Sequence, residues 1–186
     1  MSLLVKDANG NIVSTPGFDP NFGASATAIT YVTGKYGHML IAPTSGVARL
    51  KRVTVTLATG GTAGDAIVQL TKNSALGTGT LVGHTATPLN STESAATCVV
   101  NSSVSGTAGA IVGTAIRTAR LCVSAAAGAT AAQTVIWDFS RNMDQAPVLN
   151  GAAVPAENFE VLFTAGTTAP ASSVSDCDWE WEEAAA

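Results

Sequence analysis

The residues best suited to chemistry stand near the C-terminus, in the stretch DCDWEWEE from Asp176 to Glu183. Grouped carboxylates do two kinds of chemistry in proteins. A pair about 5 to 9.5 Å apart provides the acid and the base of a glycoside hydrolase, and several oxygens within about 2.6 Å of one point bind a hard cation. A third use is structural, as the solvated side of a strand or as partners in salt bridges.

The order of these residues separates the three uses. Acidic and apolar residues alternate, and successive side chains of a strand point to opposite faces. A strand here places Cys177, Trp179 and Trp181 on one face. The other face then carries four acids, Asp176, Asp178, Glu180 and Glu182. Neighbouring acids on such a face lie roughly 7 Å apart in similar surroundings, whereas an acid and its base need unlike surroundings. The pattern predicts a solvated or inter-subunit salt-bridge face, with a metal site and a catalytic pair as the alternatives.

The other residues that could do chemistry are scattered. His38 and His84 lack the spacing of metal ligands, so each is expected at a surface or an interface. Cys98, Cys122 and Cys177 form an odd, widely spaced set, which favours three buried free thiols in a reducing cytosol over disulfides or zinc ligands. Neither a nucleophile elbow nor a phosphate-binding glycine loop occurs. The sequence therefore predicts no catalytic residue, no metal site and no cofactor.

The composition favours a subunit of an assembly. Charged residues make up 12% of the 186 residues and the net charge is −4, whereas globular proteins average roughly 25% charged residues. Low charge suits a protein whose surface is partly covered by neighbours. The one dense basic run, RLKR at 49–52, suits a strand of a sheet better than a nucleic-acid site. No apolar stretch is long enough for a membrane-spanning helix, so we expect neither nucleic acid nor membrane as a partner.

Turn residues and alternation divide the chain into two regions. Residues 1–27 are predicted to form an extended arm, in which Asn9-Gly10 favours a short hairpin and Pro16-Gly17 interrupts any longer element. Residues 28–186 contain short alternating segments separated by Gly, Ser, Thr, Asn and Pro, which is typical of one β-sandwich or barrel domain. Its core is expected to include Trp137, Trp179 and Trp181.

The last third of the sequence resembles a known family. The stretch VIWDFSRNMDQAPVLNGAAVPAENFEVLF and the closing VSDCDWEWEE are similar to the small jelly-roll decoration, or cement, proteins on the heads of tailed bacteriophages. The resemblance implies an all-β fold, a jelly-roll-like β-sandwich of about eight antiparallel strands behind an extended N-terminal arm.

The same resemblance implies a function. It implies a virion structural protein, without catalysis or cofactor, that binds the outer surface of the major capsid protein shell and stabilises the phage head. Such a protein is a homotrimer, assembled in the host cytoplasm and located on the head of the virion. Its arm reaches a neighbouring subunit, and the expected contacts are the arm's apolar residues, Leu3, Leu4, Val5, Ile12, Val13, Phe18 and Phe22.

Two other functions stay open. A jelly-roll module of a phage tail or fibre that binds host glycans needs exposed aromatic rings, for which Tyr31, Tyr36, Phe18 and Phe22 are the candidates outside the expected core. A hydrolase built on the same sandwich would use Asp178 or Glu180.

Overall fold

The structure is a computed structural model that describes residues 5–6, 12–14, 21–43, 46–58, 62–89, 95–124, 132–141, 145–153, 156–170 and 173–184. These residues contain strands and no α-helix. The strands are β1 (Val5–Lys6), β2 (Ile12–Ser14), β3 (Asn21–Thr30), β4 (Lys35–Ile41), β5 (Val47–Ala58), β6 (Gly64–Asn73), β7 (Val82–His84), β8 (Thr87–Pro88), β9 (Val99–Gly106), β10 (Arg117–Val123), β11 (Ala132–Asp138), β12 (Val148–Asn150), β13 (Asn158–Ala165) and β14 (Val174–Ala184). In the described part of the chain no helix is long and apolar enough to cross a membrane.

Two antiparallel sheets pack together. Sheet I has the order β11–β5–β14–β3–β8, with β12 also paired to β5, and sheet II has the order β10–β6–β13–β4–β9–β7. The predicted all-β sandwich is therefore confirmed. The strands β1 and β2 form a separate antiparallel pair, with Val5 opposite Ser14. This pair flanks Asn9-Gly10, the expected hairpin turn, which itself lies outside the described residues.

The pairing of the long strands is nested. The strand β3 pairs with β14, β4 with β13, β5 with β11 and β6 with β10. Each pair lies inside the previous one in sequence order, as the two halves of one long hairpin would, and successive pairs alternate between the sheets. The strands β7, β8 and β9 come from the long connection between β6 and β10, so the described residues contain more than the eight strands expected.

The space between the sheets holds the core. Val53, Val55 and Leu57 of β5 are fully buried, and the alternate residues Thr54 and Thr56 are not, as their alternation predicts. All three tryptophans are buried, with Trp179 and Trp181 at 0% exposure, as predicted. Burial of each large aromatic or aliphatic side chain contributes about 1.5–3 kcal/mol, so these inward-facing residues hold the sheets together.

The predicted boundary between arm and domain is wrong. The strand β3 begins at Asn21 and pairs with β14 along most of its length, so the sandwich starts at residue 21 and not at residue 28. The phenyl ring of Phe22 is 2% exposed and stacks on the indole of Trp181, with ring centroids 5.8 Å apart. The stretch GASATA at 23–28 lacks the large apolar residues that usually indicate a strand, because the inward positions of this part of β3 are occupied by Ala.

The two lateral edges of the sandwich differ. On one side the edge strands β10 and β11 face each other, and the amide of Cys122 donates to Oε1 of Gln133 at 2.6 Å. On the other side the chain crosses from β7 in sheet II to β8 in sheet I through Thr85 and Ala86. This crossing places residues 83–89 beside the outer face of sheet I.

Candidate functional site

The four acids of β14 lie on the outer face of sheet I, opposite the buried tryptophans. Two of them meet the basic run of β5, because β14 and β5 are neighbours in register. Glu180 lies opposite Arg52 and forms an ion pair with it, and Glu182 lies opposite Arg49 with Oε1 3.4 Å from Nη1. The salt-bridge interpretation therefore holds within one chain for these two acids.

Asp176 has a different partner. Its Oδ1 accepts a hydrogen bond of 2.6 Å from the amide of Ala28. The pairing of β14 with β3 shifts register at this point, and Ala28 has a left-handed backbone with φ of 57°. A bulge leaves an amide without its ladder partner, so the carboxylate stabilises the irregular backbone.

Asp178 is the exception in the row. Its side chain is exposed, and no described residue donates a hydrogen bond to it. It lies opposite Ser25 of β3 and Thr54 of β5. Among the described residues no group of three or more His, Cys, Asp and Glu is arranged to hold a metal ion.

Asp178 lines a groove of about 810 Å³ on the outer face of sheet I. Its floor is formed by neighbouring strands, with Gly23 and Ser25 from β3, Glu180 from β14, and Arg52 from β5. Its wall is the segment 83–89, which contributes His84, Thr85, Thr87 and Leu89. The groove is therefore lined by one cation, two acids, several hydroxyls and one exposed leucine.

Glu183, next to the acidic row, turns inward. The alternation that puts Glu182 outside puts Glu183 on the face of the tryptophans, and its side chain is buried. Its carboxylate accepts hydrogen bonds from the amides of Thr97 and Cys98, from the Thr97 hydroxyl and from Nε1 of Trp181. Burial raises the pKa of this carboxyl, but these donors outweigh burial and hold the pKa below its usual value. Glu183 thus ties β14 to the segment that leads into β9.

His38 lies between the sheets, whereas His84 is partly exposed at the edge, where it lines the groove and its Nε2 is 2.7 Å from Oγ of Ser102. His38 is 0% exposed and its Nε2 is 2.9 Å from Oγ of Ser175. Since the Ser175 hydroxyl donates to the carbonyl of Ile29, His38 donates from Nε2, and its buried Nδ1 has no hydrogen-bond partner among the described residues. Burial, helped by the nearby His84, lowers the pKa of His38 to about 3. The predicted surface or interface position is wrong for His38, because the apolar strand around it turns its side chain inward.

A second buried acid was missed at the sequence level. Glu160 of β13 points away from the core, yet it is 0% exposed, because loops from the β6–β10 connection cover the outer face of sheet II. Its carboxylate accepts from the amides of Gly77 and Gly109 at 3.1 Å. A Cβ at Gly77 would lie 2.9 Å from Glu160 Oε1, so the close approach of this amide needs glycine. Burial raises the pKa of Glu160, against the effect of these donors.

An apolar edge adjoins the groove. Exposed large apolar side chains occur on or beside β7, β8 and β9, at the edge where the chain crosses between the sheets. They are Leu81, Val82, Leu89 and Val99. We call this set the β7–β9 edge. Contiguous exposed apolar surface is typical of interaction sites.

Part of the predicted partner contacts and of the predicted aromatic platform for a glycan lies in the described residues. Val5, Ile12 and Val13 lie in the β1–β2 pair, while Leu3, Leu4 and Phe18 lie outside the described residues. Phe22 is in the core, so its assignment as a contact is wrong.

Tyr31 and Tyr36 are also buried, which removes them and Phe22 as an exposed aromatic platform for a sugar. The prediction of buried free thiols is confirmed for Cys98 and Cys177 and is wrong for Cys122, which lies on the edge strand β10 and is exposed.

Comparison with known proteins gives no family model that matches this chain, no similar curated protein and no similar solved structure. The class that the fold defines is an antiparallel β-sandwich with an N-terminal pair of short strands.

Proposed function

We propose that this chain is a virion structural protein, a decoration protein that binds the outer surface of a tailed-phage head and stabilises it without catalysis. The observation that carries the proposal is the β7–β9 edge, where Val82 is 53% and Leu89 61% exposed. A surface of this kind is costly in water and is covered in an assembly. The low charge of the chain, 12% of its residues, agrees with such covering.

The strand pairing supports the jelly-roll part of the proposal. A jelly roll has eight strands in two sheets and two Greek keys, and a long hairpin rolled into two layers produces nested pairs. The pairs β3–β14, β4–β13, β5–β11 and β6–β10 follow that scheme. The strands β7, β8 and β9 then form an addition to one edge of the roll, and this addition carries the exposed apolar residues.

The acidic strand supports the structural role over the hydrolase. Glu180 and Glu182 are paired with Arg52 and Arg49, and Asp176 holds a bulge. A hydrolase needs two carboxyls free to exchange protons with a substrate. Three of the four acids in this row already have partners within the chain, so they are not free to exchange protons with a substrate.

Stabilisation of a head by such a protein is a matter of mass action. A ligand that binds the mature shell and not the open one favours the bound form by about 2.7 kcal/mol per site at a hundredfold excess over Kd. The proposed partners are the major capsid protein and two further copies of this chain. The segment 1–20, which includes the β1–β2 pair, serves as the docking arm.

The test uses particles that lack this chain, to which purified protein is added back. A variant without residues 1–20 keeps the whole of β3 and should bind shells at least tenfold more weakly. Val82→Asp should also weaken binding at least tenfold. Ile136→Asp, which changes a 60% exposed residue on the opposite edge of the sandwich, is the matched control and should bind as the unmodified protein does. Undiminished binding by both the truncated variant and Val82→Asp would refute the proposed surface.

A further inference from the structure

The groove on sheet I differs from the rest of the outer acidic face. Its volume of about 810 Å³ lies within the range of small-ligand sites, about 300–1,000 Å³. Asp178 at its floor is the one acid of the row to which no described residue donates. The other three acids have the internal partners already named.

From these features we propose that the groove binds a neutral oligosaccharide, with Asp178 as the main hydrogen-bond acceptor. A carboxylate accepts two sugar hydroxyls, and charge-assisted bonds of this kind are stronger than neutral ones. The Arg52 side chain, 48% exposed, uses Nη2 for Glu180 and keeps further N–H groups for a sugar oxygen. Arg52 and Asp178 are diagonal neighbours on adjacent strands, for which the typical separation is about 7–8 Å and somewhat less between Cβ atoms, so one sugar ring reaches both.

The remaining lining suits the same ligand. Thr54, Thr85 and Thr87 supply hydroxyls that both donate and accept. Leu89 offers an apolar surface to the C–H face of a sugar ring. Gly23 beside it leaves the β3 backbone uncovered, and a Cβ there would already touch Leu89 Cδ2 at 3.4 Å. The lining thus offers both polar and apolar contacts to a sugar ring.

The charges in the groove disfavour an anionic ligand, and its many hydroxyls favour a polyhydroxylated one. The acids Asp178 and Glu180 repel an anion, and the chain as a whole carries −4. Arg52 neutralises Glu180, which leaves Asp178 without a compensating charge among the residues that line the groove. A polyhydroxylated neutral molecule meets every one of these groups without an unpaired charge of its own. This inference does not rest on the proposed function, and only Leu89 is common to the groove and to the β7–β9 edge.

The test is a titration of the full-length protein with maltohexaose, cellohexaose and chitohexaose, followed by amide chemical shifts in ¹⁵N-labelled protein. We expect one of the three to bind saturably, with the largest shifts at Ser25, Thr54, Thr87 and Asp178. Asp178→Asn should weaken that binding at least tenfold. Glu182→Gln, on the same face of β14 but outside the groove, is the matched control and should stay within twofold of the unmodified protein.

A second variant, Leu89→Ala, covers the case in which Asp178→Asn does not fold, and it should weaken binding about threefold to tenfold because apolar contact with the ring is lost. No shift with any of the three sugars up to on the order of 10 mM, a concentration that detects even millimolar affinities, would overturn the proposal. Binding that is unchanged in both groove variants would overturn it as well.

Discussion

The indole of Trp181 donates a hydrogen bond of 2.9 Å from Nε1 to Oε1 of Glu183, two residues further along the same strand. Two residues on a strand face the same way, so the tryptophan and its acid enter the core together. The closing segment therefore contains acids of two kinds, a solvated row on the outer face and one buried carboxylate that belongs to the core. The buried carboxylate of Glu183 is the one through which this segment stabilises the fold.

Replacing Glu183 should destabilise the protein strongly. In Glu183→Ala the Thr97 and Cys98 amides and the Trp181 indole lose their acceptor inside the protein. Each unsatisfied buried donor costs about 1–3 kcal/mol, and partial access of water reduces the sum. We expect the free energy of unfolding to fall by about 2–4 kcal/mol in urea denaturation.

The control for this prediction is Glu182→Gln, one residue earlier. Its partner Arg49 is 43% exposed, and pairs of this kind contribute about 0–1 kcal/mol. Equal losses in the two variants would show that Glu183 is no more important than a surface acid.

The stacked pair of Phe22 and Trp181 should be a main anchor of β3 on β14. Trp181→Ala removes a fully buried indole and leaves a cavity, which costs about 3–5 kcal/mol. Ile136→Ala, at an exposed position of sheet I, should change stability by less than about 0.5 kcal/mol. Denaturant unfolding of both variants gives the comparison, and a loss under about 1 kcal/mol in Trp181→Ala would mean that β3 does not depend on this contact.

The ion pair of Arg52 and Glu180 should appear as a coupling between the two positions. Arg52→Glu and Glu180→Arg each place like charges opposite each other on neighbouring strands, which is unfavourable. The double exchange restores an opposite pair. A double-mutant cycle should give a coupling energy of about 0.2–1 kcal/mol that shrinks in roughly 1 M salt. Strictly additive effects at low salt would contradict the pairing.

Stability should fall in mildly acidic solution because of His38. Its pKa is about 3 in the folded protein, against an ordinary value of 6.5, so the unfolded chain takes up a proton first as the pH drops. The contribution of neutral His38 is complete above about pH 6.5 and is lost as the pH falls from there towards 3, at about 1.4 kcal/mol per pH unit. Between about pH 7.5 and pH 5 we expect a loss of roughly 2 kcal/mol from this residue.

The variant His38→Gln isolates this effect in urea denaturation at the two pH values. Its stability should change with pH by roughly 2 kcal/mol less than that of the unmodified protein. Burial also lowers the pKa of His84, so this residue too loses stabilising effect as the pH falls. The variant His84→Gln should therefore reduce the pH dependence of stability, by less than His38→Gln does. The raised pKa of Glu160 makes its contribution to stability larger at lower pH, and this contribution is the same in the unmodified protein and in His38→Gln. An unchanged pH dependence in His38→Gln would refute the assignment.

Glu160 should hold the β6–β10 connection against sheet II. In Glu160→Ala the amides of Gly77 and Gly109 lose their acceptor, so their hydrogen exchange should become at least tenfold faster than in the unmodified protein. Amides of β14 on the other sheet provide the internal reference and should keep their rates. Uniform acceleration throughout the sandwich would indicate global destabilisation and not a local anchor.

The local pattern of the sequence predicts the faces of the strands well. Alternation alone places Trp179 and Trp181 inside and Glu180 and Glu182 outside, and the same rule places Glu183 inside. Alternation cannot tell which strands become neighbours, so the pairing of Arg52 with Glu180, 128 residues apart, was out of its reach. The same limit applies to Glu160, since its burial depends on loops from a distant connection. The groove joins β3, β5, β14 and the segment 83–89, which only the folded chain brings together.

The most direct test of the central claim is electron cryo-microscopy of purified particles produced while this chain is expressed from its own gene. We expect density for the sandwich repeated over the outer surface of the head, in groups of three, with the β7–β9 edge turned towards a neighbour. Particles that contain no copy of the chain, or that carry it only in the tail, would contradict the proposed decoration of the head.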